Sequence, residues 1–386
     1  AKFSVLGIVP PRVATGTSDI ETGSHIIKGK GTKFTIDFKK GQQFRIGQQG
    51  FWDGIWRDAA VRDKMVEEMA THDRLIFFHS DMYLFPNALE NIDKHLKEGV
   101  VVSLTRVEPP LHPAGPEKII EDFGIEPEEL KEMEMLNWYS RYEPKQETTE
   151  GVFAPWAIMR KDFNSVGGHD PMFRPQSKED SDIFNRFVLA GYKLVQTREG
   201  CVYHMTCRGS RFADGAKRNP DGEVFMKNRE TDEWLAQNIR STRNFIRKWG
   251  TMVEHDEYLK PIITPKYDIG FHLTERCSSN LIGDLEPYCS NLYVDDDMTI
   301  KQYIEQEQSQ TDFNLSERVS INELKNDVIV KFDPLLVNQQ NFSILANLPK
   351  IIQDSGEVGE FELDIFNVKI NKIKTYERDL INCNTN

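Results

Sequence analysis

The sequence predicts an α/β protein: a mixed, mostly parallel sheet flanked by helices, followed by a smaller C-terminal α/β or α+β domain. Three observations predict it. Short apolar runs bounded by polar residues, such as Leu75 to Phe78 and Val100 to Leu104, read as strands buried on both faces, the habit of parallel sheets. These runs alternate with stretches of helical periodicity, the pattern of strand–helix–strand crossovers. A stretch bearing Pro261 and Pro265 then precedes Asn-, Ile- and Lys-rich sequence with its own strand and helix alternation.

Bulk properties bound the rest. At 386 residues the chain has room for two domains and a large core. A formal charge of −13 argues against a general nucleic-acid binder, because a phosphate backbone would be repelled. No run of about 18 apolar residues exists, so no membrane span is expected. The opening apolar segment is too short and too poorly flanked for a signal peptide. Five cysteines, an odd count with no C-x-x-C pair, suggest neither structural zinc nor a disulfide framework. A cytoplasmic setting is the expectation.

Taken in order, Phe3 to Val9 reads as a first strand stopped by Pro10 and Pro11, and Phe34, Ile36 and Phe38 alternate as a half-exposed strand. Residues 54–69 have helical spacing. Leu75 to Phe78 ends in His79-Ser80-Asp81, and a Pro-Asn turn opens a helix from Pro86 to about Lys97. Residues 109–150 are Pro- and Glu-rich, the composition of an insertion or mobile loop, with a helix around Pro127 to Tyr139. Then come a strand at Val152 to Met159, a Gly167-Gly168 turn, a helix at Asp180 to Ala190, and strands near Tyr192 to Gln196 and Cys201 to Met205. The helix Thr231 to Trp249 turns Trp234, Leu235, Ile239, Phe245, Ile246 and Trp249 inward and stops at Gly250. Beyond a linker at 251–266, Tyr267 to Leu273, Leu292 to Asp295 and Val328 to Phe332 read as strands, and Ser279 to Cys289 as a helix. Phe361, Leu363 and Ile365 alternate, but Phe366, Val368 and Ile370 continue on the opposite parity, which implies a bulge or break.

The chemistry gathers at strand ends. A strand ending in His79-Ser80-Asp81 delivers an imidazole and a carboxylate to its carboxyl end, where ligands of open α/β sheets sit. A second cluster is Gly167-Gly168-His169-Asp170-Pro171-Met172-Phe173, followed by Glu179-Asp180-Ser181-Asp182 at a helix start. Acidic residues there also have a purely structural use, since they complement the free N–H groups of the first turn. His204 ends a later strand.

In this order the pieces resemble the family 2 glycosyltransferases and their galactosyltransferase-like relatives, which have the GT-A fold. The matching residues are Ile8-Val9-Pro10, Ala60-Val61-Arg62-Asp63, His79-Ser80-Asp81 for the D-x-D, Gly167 to Phe173, Glu179-Asp180, and the tail Arg243 to Gly250. The match covers roughly residues 54–250, so 1–250 reads as the catalytic domain and 267–386 as a smaller domain. The resemblance implies a metal-dependent, inverting glycosyltransferase with a nucleotide-diphosphate sugar donor, a UDP-sugar before a GDP-sugar, and a carbohydrate or other hydroxyl acceptor. It implies Asp81 as ligand to Mn²⁺ or Mg²⁺, His204 as a further metal ligand, Asp180 as catalytic base and Glu179 as an orienting acid. Arg62 and Ser80 would lie near the nucleotide, and Trp156 and Asp182 near the acceptor. His79 replaces the first acid of D-x-D, and could ligate the metal, bond the ribose or pack; Trp156 could equally be core. Two further departures stand out, beyond His79 and the Met82 that follows Asp81: His169 and Pro171 alter the G-G-F-D-E turn, and residues 10–50 show no strand ending in the acidic pair that reads the nucleoside. The C-terminal order of strand, helix, strand and Asp295-Asp296-Asp297 echoes a nucleotide-binding half, or is an ordinary βαβ unit with a solvated acidic turn. A homo-oligomer is compatible with all of this. The rival expectations are a non-catalytic nucleotide- or sugar-binding module, or a structural protein, on the same scaffold.

Overall fold

The computed structural model describes residues 4–7, 17–20, 27–30, 63, 66, 67, 70–79, 81–205, 217–218, 224–225 and 230–382. The expected strand at Phe34 to Phe38 and nearly all of the helix at 54–69 lie outside these. The chain forms two compact units, residues 1–163, 193–235 and 257–260, and residues 164–192, 236–256 and 261–386. Both are mixed α/β.

The first unit holds β1 (Ser4–Gly7), β2 (Thr17–Ile20), β3 (Ile27–Lys30), β4 (Arg74–Phe78), β5 (Met82–Leu84), β6 (Val100–Glu108), β7 (Lys118–Ile120), β8 (Thr148–Thr149), β9 (Trp156–Met159), β10 (Lys193–His204), β11 (Lys217–Arg218) and β12 (Val224–Phe225). The main sheet runs β1-β4-β9-β6-β10-β5, with β7 on β6 and β8 on β10. Because β9 is antiparallel to both β4 and β6, while β10 is parallel to β6, strands β4, β6 and β10 point the same way. Their carboxyl ends therefore share one edge.

Leu75, Ile76 and Phe77 of β4 are fully buried, as an uninterrupted apolar run requires. Trp156 pairs with Phe77 across the β4–β9 ladder, and their rings stack 4.0 Å apart. Strand β6 is longer than its apolar run suggests: all nine residues are buried, Arg106 and Glu108 included. The two expected strands at 192–196 and 201–205 are one strand, β10, whose register on β6 shifts between Thr197 and Cys201. Residues 109–150 are fastened to this sheet. Met135, Trp138 and Tyr139 of the Glu132–Tyr139 helix pack with Phe85, Phe123 and Tyr203. The Tyr203 hydroxyl accepts from Phe123 N at 2.9 Å and donates to Gly124 O at 2.7 Å.

The second unit holds β13 (Ile269–Leu273), β14 (Asn291–Tyr293), β15 (Val319–Ser320), β16 (Val328–Phe332), β17 (Gly359–Leu363) and β18 (Phe366–Ile370), in the order β15-β14-β13-β16-β18-β17. The first four are parallel, and β18 is antiparallel to both its neighbours. The path β13-β16-β18-β17 repeats that of β1-β4-β9-β6 in chain order and in strand sense. The parity change after Phe361 and Leu363 is a tight hairpin, not a bulge: Leu363 pairs with Phe366, and Asp364 turns at φ 55°. A short polar side chain tolerates that left-handed conformation. In the Asp232–Trp249 helix Phe245, Ile246 and Trp249 are buried as expected, but Leu235 and Ile239 are 42% and 60% exposed. The apolar stripe is used only along its second half.

Among the described residues Cys201, Cys277 and Cys289 are free thiols, and no helix is long and apolar enough to cross a membrane. Trp156→Ala should cost about 3–5 kcal/mol, the usual penalty for emptying a fully buried aromatic site. Urea unfolding of the variant reads this as a lowered midpoint with an unchanged slope.

Candidate metal centre

The carboxyl edge of the first sheet concentrates polar chemistry. His79 follows β4 directly, and the chain turns there, with Met82 N donating to His79 O at 3.3 Å. This turn lifts Asp81 to the start of β5, whose Met82 pairs with His204 at the end of β10. Met205 N donates to Asp81 O at 2.9 Å. Backbone bonds thus tie two sequence-distant segments at the point where their side chains meet.

His79, Asp81 and His204 each offer a ligand atom, and these atoms lie within 4.8 Å of one another. Among the described residues they are the one such group. His204 Nε2 stands 3.6 Å from Asp81 Oδ1, too far for a good hydrogen bond. That separation is close to what two ligand atoms span when each lies about 2.1 Å from a shared ion. Asp81 is 8% exposed and His204 also 8%, so an ion would sit in a partly dried pocket. Three protein ligands leave further coordination positions for water or substrate oxygens. The donor set therefore fits a divalent cation, and two imidazoles with one carboxylate suit Mn²⁺ better than Mg²⁺, which prefers oxygen.

Sequence reasoning missed what lies behind these ligands. Glu108, at the end of β6, receives His204 Nδ1 at 2.8 Å on Oε1. The same oxygen accepts from Arg106 Nη1 at 2.8 Å, and Oε2 from Lys118 Nζ at 3.2 Å. Burial alone would raise the Glu108 carboxyl, but the His204 hydrogen bond and the Arg106 and Lys118 charges outweigh it and hold it at about 2. Arg106 also reaches Glu117 at 3.4 Å and lies 4.1 Å over the Phe153 ring. Phe153 flanks both imidazoles, with ring centroids 6.1 Å from His79 and 6.0 Å from His204. The available signal was the Arg-x-Glu that prolongs the apolar run of β6, two charges on one face of a strand.

Ser80 and Arg62 lie outside the described residues. Glu179 and Asp180 open the Glu179–Leu189 helix, with Glu179 buried. The two residues before them, Ser177 and Lys178, have φ of 79° and 71°. Consecutive non-glycine residues in that region store strain, here held by Ser177 Oγ and Lys178 Nζ both donating to Asn238 Oδ1, at 2.8 and 3.2 Å.

Trp156 and Asp182, expected near an acceptor, have no exposed surface. Trp156 is sheet core, as described above. Asp182 accepts from Arg186 Nε at 2.8 Å and Trp249 Nε1 at 2.9 Å, and pairs with Lys248 Nζ at 2.6 Å. Arg186 further donates to Val166 O and Gly168 O, both at 2.6 Å, and Lys248 reaches Asp170 at 2.7 Å. The Gly167-Gly168-His169-Asp170 turn is thus clamped by the helix that follows it. Asp296 caps the Asp297–Glu307 helix through Met298 N and Thr299 N, and Asp297 pairs with Lys301, so both have structural uses.

No family model matches the chain, and no curated protein does. Among solved structures, the crystal structure of GalNAc-T7 with UDP, GalNAc and Mn²⁺ aligns at a TM-score of 0.29 and 13% identity over 52% of this chain. This chain spans about a third, 35%, of the length of that one. A likeness that loose carries no weight, so the functional reading rests on this chain's own residues.

Burial would raise the Asp182 carboxyl, yet Lys248 and Arg186 hold it below its ordinary value. Removing it strands two buried cations, so Asp182→Ala should cost about 3–5 kcal/mol. Because the folded pKa is the lower one, this contribution is present above the unfolded value of about 3.9 and fades as pH falls through the folded value. Urea midpoints of wild type and variant, measured across pH, should therefore converge on the acid side.

Proposed function

We propose that the chain is a metal-dependent, inverting glycosyltransferase with a GT-A-type catalytic domain over residues 1–250, using a nucleotide-diphosphate sugar. The observation that carries this reading is the meeting of His79, Asp81 and His204 at the carboxyl edge of co-directional strands. The sequence resemblance had singled out the same three residues.

Bound there, Mn²⁺ would neutralise charge developing on a leaving diphosphate. Asp81 supplies the hard oxygen ligand, and His204 and His79 supply nitrogen ligands. The resemblance assigns Asp180 as the base that accepts the proton of the attacking hydroxyl, with Glu179 orienting that hydroxyl. Inversion needs one such carboxylate within hydrogen-bond reach of the nucleophile. Ser80 and Arg62 keep the nucleotide-side roles that the resemblance implies, and UDP is the first nucleotide to test, then GDP. Residues 267–386 form a smaller accessory domain beyond the linker at 251–266.

A second reading comes from the ligand set alone. Two histidines and one carboxylate around an ion with open positions also describe an oxygen-activating Fe²⁺ centre. The two readings part on nucleotide dependence, since only the first requires a nucleoside diphosphate on the metal.

With Mn²⁺ present, a matching nucleoside diphosphate at 100 times its dissociation constant should stabilise the fold by about 2.7 kcal/mol, read as a rise in melting temperature. Mg²⁺ should support less of the shift than Mn²⁺. No shift with UDP, GDP, CDP or dTDP under any metal sinks the glycosyltransferase reading. Asp180→Asn should abolish sugar transfer, followed as nucleotide release, and leave the Mn²⁺-dependent thermal shift in place. Loss of both together would point to a structural role at the helix start.

A further inference from the structure

Four ionisable side chains crowd behind the metal centre almost out of reach of water. Arg106, Glu108, Glu117 and Lys118 have side-chain exposures of 6%, 2%, 9% and 5%. Burying ions costs several kcal/mol each, and an apolar cluster of similar volume is often as stable. Fold stability alone is thus a poor reason for such a quartet. Glu108 is the member that hydrogen-bonds to the candidate centre, through His204.

We infer that Glu108 is a positioning residue: by accepting the Nδ1–H of His204 it selects the imidazole tautomer whose Nε2 lone pair faces Asp81 and can bind the ion. This deepens the proposed function and rests on its metal reading.

The geometry follows from strand register. Val202 and Tyr203 of β10 pair with Arg106 and Val107 of β6, so the next residue, His204, comes abreast of Glu108. Arg106 and Glu108 are two apart on one strand and share a face, while Lys118 enters beside Arg106 from β7. A neutral imidazole has one donor and one acceptor nitrogen, and an ionised carboxylate only accepts. Both Glu108 oxygens already accept, Oε1 from Arg106 and Oε2 from Lys118, so Nδ1–H is the donor in the bond to His204, which leaves Nε2 of the neutral ring bare. The hydrogen bond also fixes the ring plane and makes the imidazole a better electron donor. Stacked on Arg106, the Phe153 ring closes the same wall beside both histidines.

The test uses the full chain. Mn²⁺ affinity is measured by titration calorimetry for wild type, Glu108→Gln and Glu117→Gln, with melting curves as the folding control. Glu117 belongs to the same quartet, so a merely structural role predicts equal effects of the two variants. A positioning role predicts a 10–100-fold loss of Mn²⁺ affinity for Glu108→Gln and less than about twofold for Glu117→Gln. Equal losses, or wild-type affinity in Glu108→Gln, overturn the inference. Should Glu108→Gln not fold, Glu108→Asp keeps the charge but withdraws it from His204, and should show the same loss; wild-type affinity in that variant overturns the inference too. Nitrogen-15 NMR of metal-free wild type gives a readout that does not need Mn²⁺ to bind. Neutral His204 protonated at Nδ1 supports the inference, and protonation at Nε2 overturns it. If wild type binds no Mn²⁺, the proposed function fails and the tautomer still decides this inference.

Discussion

The hydrogen bond between Glu108 and His204 is the constraint around which the first unit is arranged. For it to exist, β6 must run nine residues through the core, β10 must end abreast of it, and two cations must accompany the carboxylate inward. Each requirement costs something in isolation. A charged strand end is poor core material, and an anion away from water demands partners. Together they give a rigid support for an imidazole at the edge where three co-directional strands end.

The second unit uses buried charge for a different purpose. Asp182 joins Arg186, Lys248 and Trp249, and through them the Gly167-Gly168 turn, so a residue that the sequence places near an acceptor is part of a clamp. A second buried group draws Arg247 to Glu286 at 2.9 Å and to Glu307 at 2.6 Å, with Arg318 and Tyr303 also bonding Glu286. Breaking such pairs on one side is costly even where their net contribution is small. The Asp232–Trp249 helix thus carries charge inward from its polar face as well as aromatic rings from its apolar one.

Much of the fold was legible in residue pattern because apolar runs and helical spacing report burial directly. Leu75 to Phe78 and Val328 to Phe332 came out as strands close to their observed bounds. Asp81, His79 and His204 were legible as a candidate centre because in the sequence each stands at the end of an apolar run. What was not legible depended on pairing. The polar end of β6 reads as loop until its partners are known, so Glu108 and Arg106 went unnoticed. Trp156 and Asp182 looked available for a ligand because sequence shows residue type and not which neighbours already occupy it. The hairpin at Asp364 was hidden for the opposite reason: a two-residue turn keeps both strands in one apolar run and only inverts their parity.

The register shift in β10 acts as a length gauge. Thr197 faces Leu104 and Cys201 faces Thr105, so three residues of β10 have no counterpart on β6. Side chains alternate faces along a strand, so an odd surplus exchanges the two faces between the halves of β10. Losing or gaining one residue there would turn Tyr203, now buried with its hydroxyl on Phe123 and Gly124, toward Glu108 and send His204 into the aromatic cluster. A change of two would restore the alternation while shifting the end of the strand. Tolerance to insertion at 198–200 should thus depend on whether the count is odd or even, a digital sensitivity in a stretch that reads in sequence as a break between two strands.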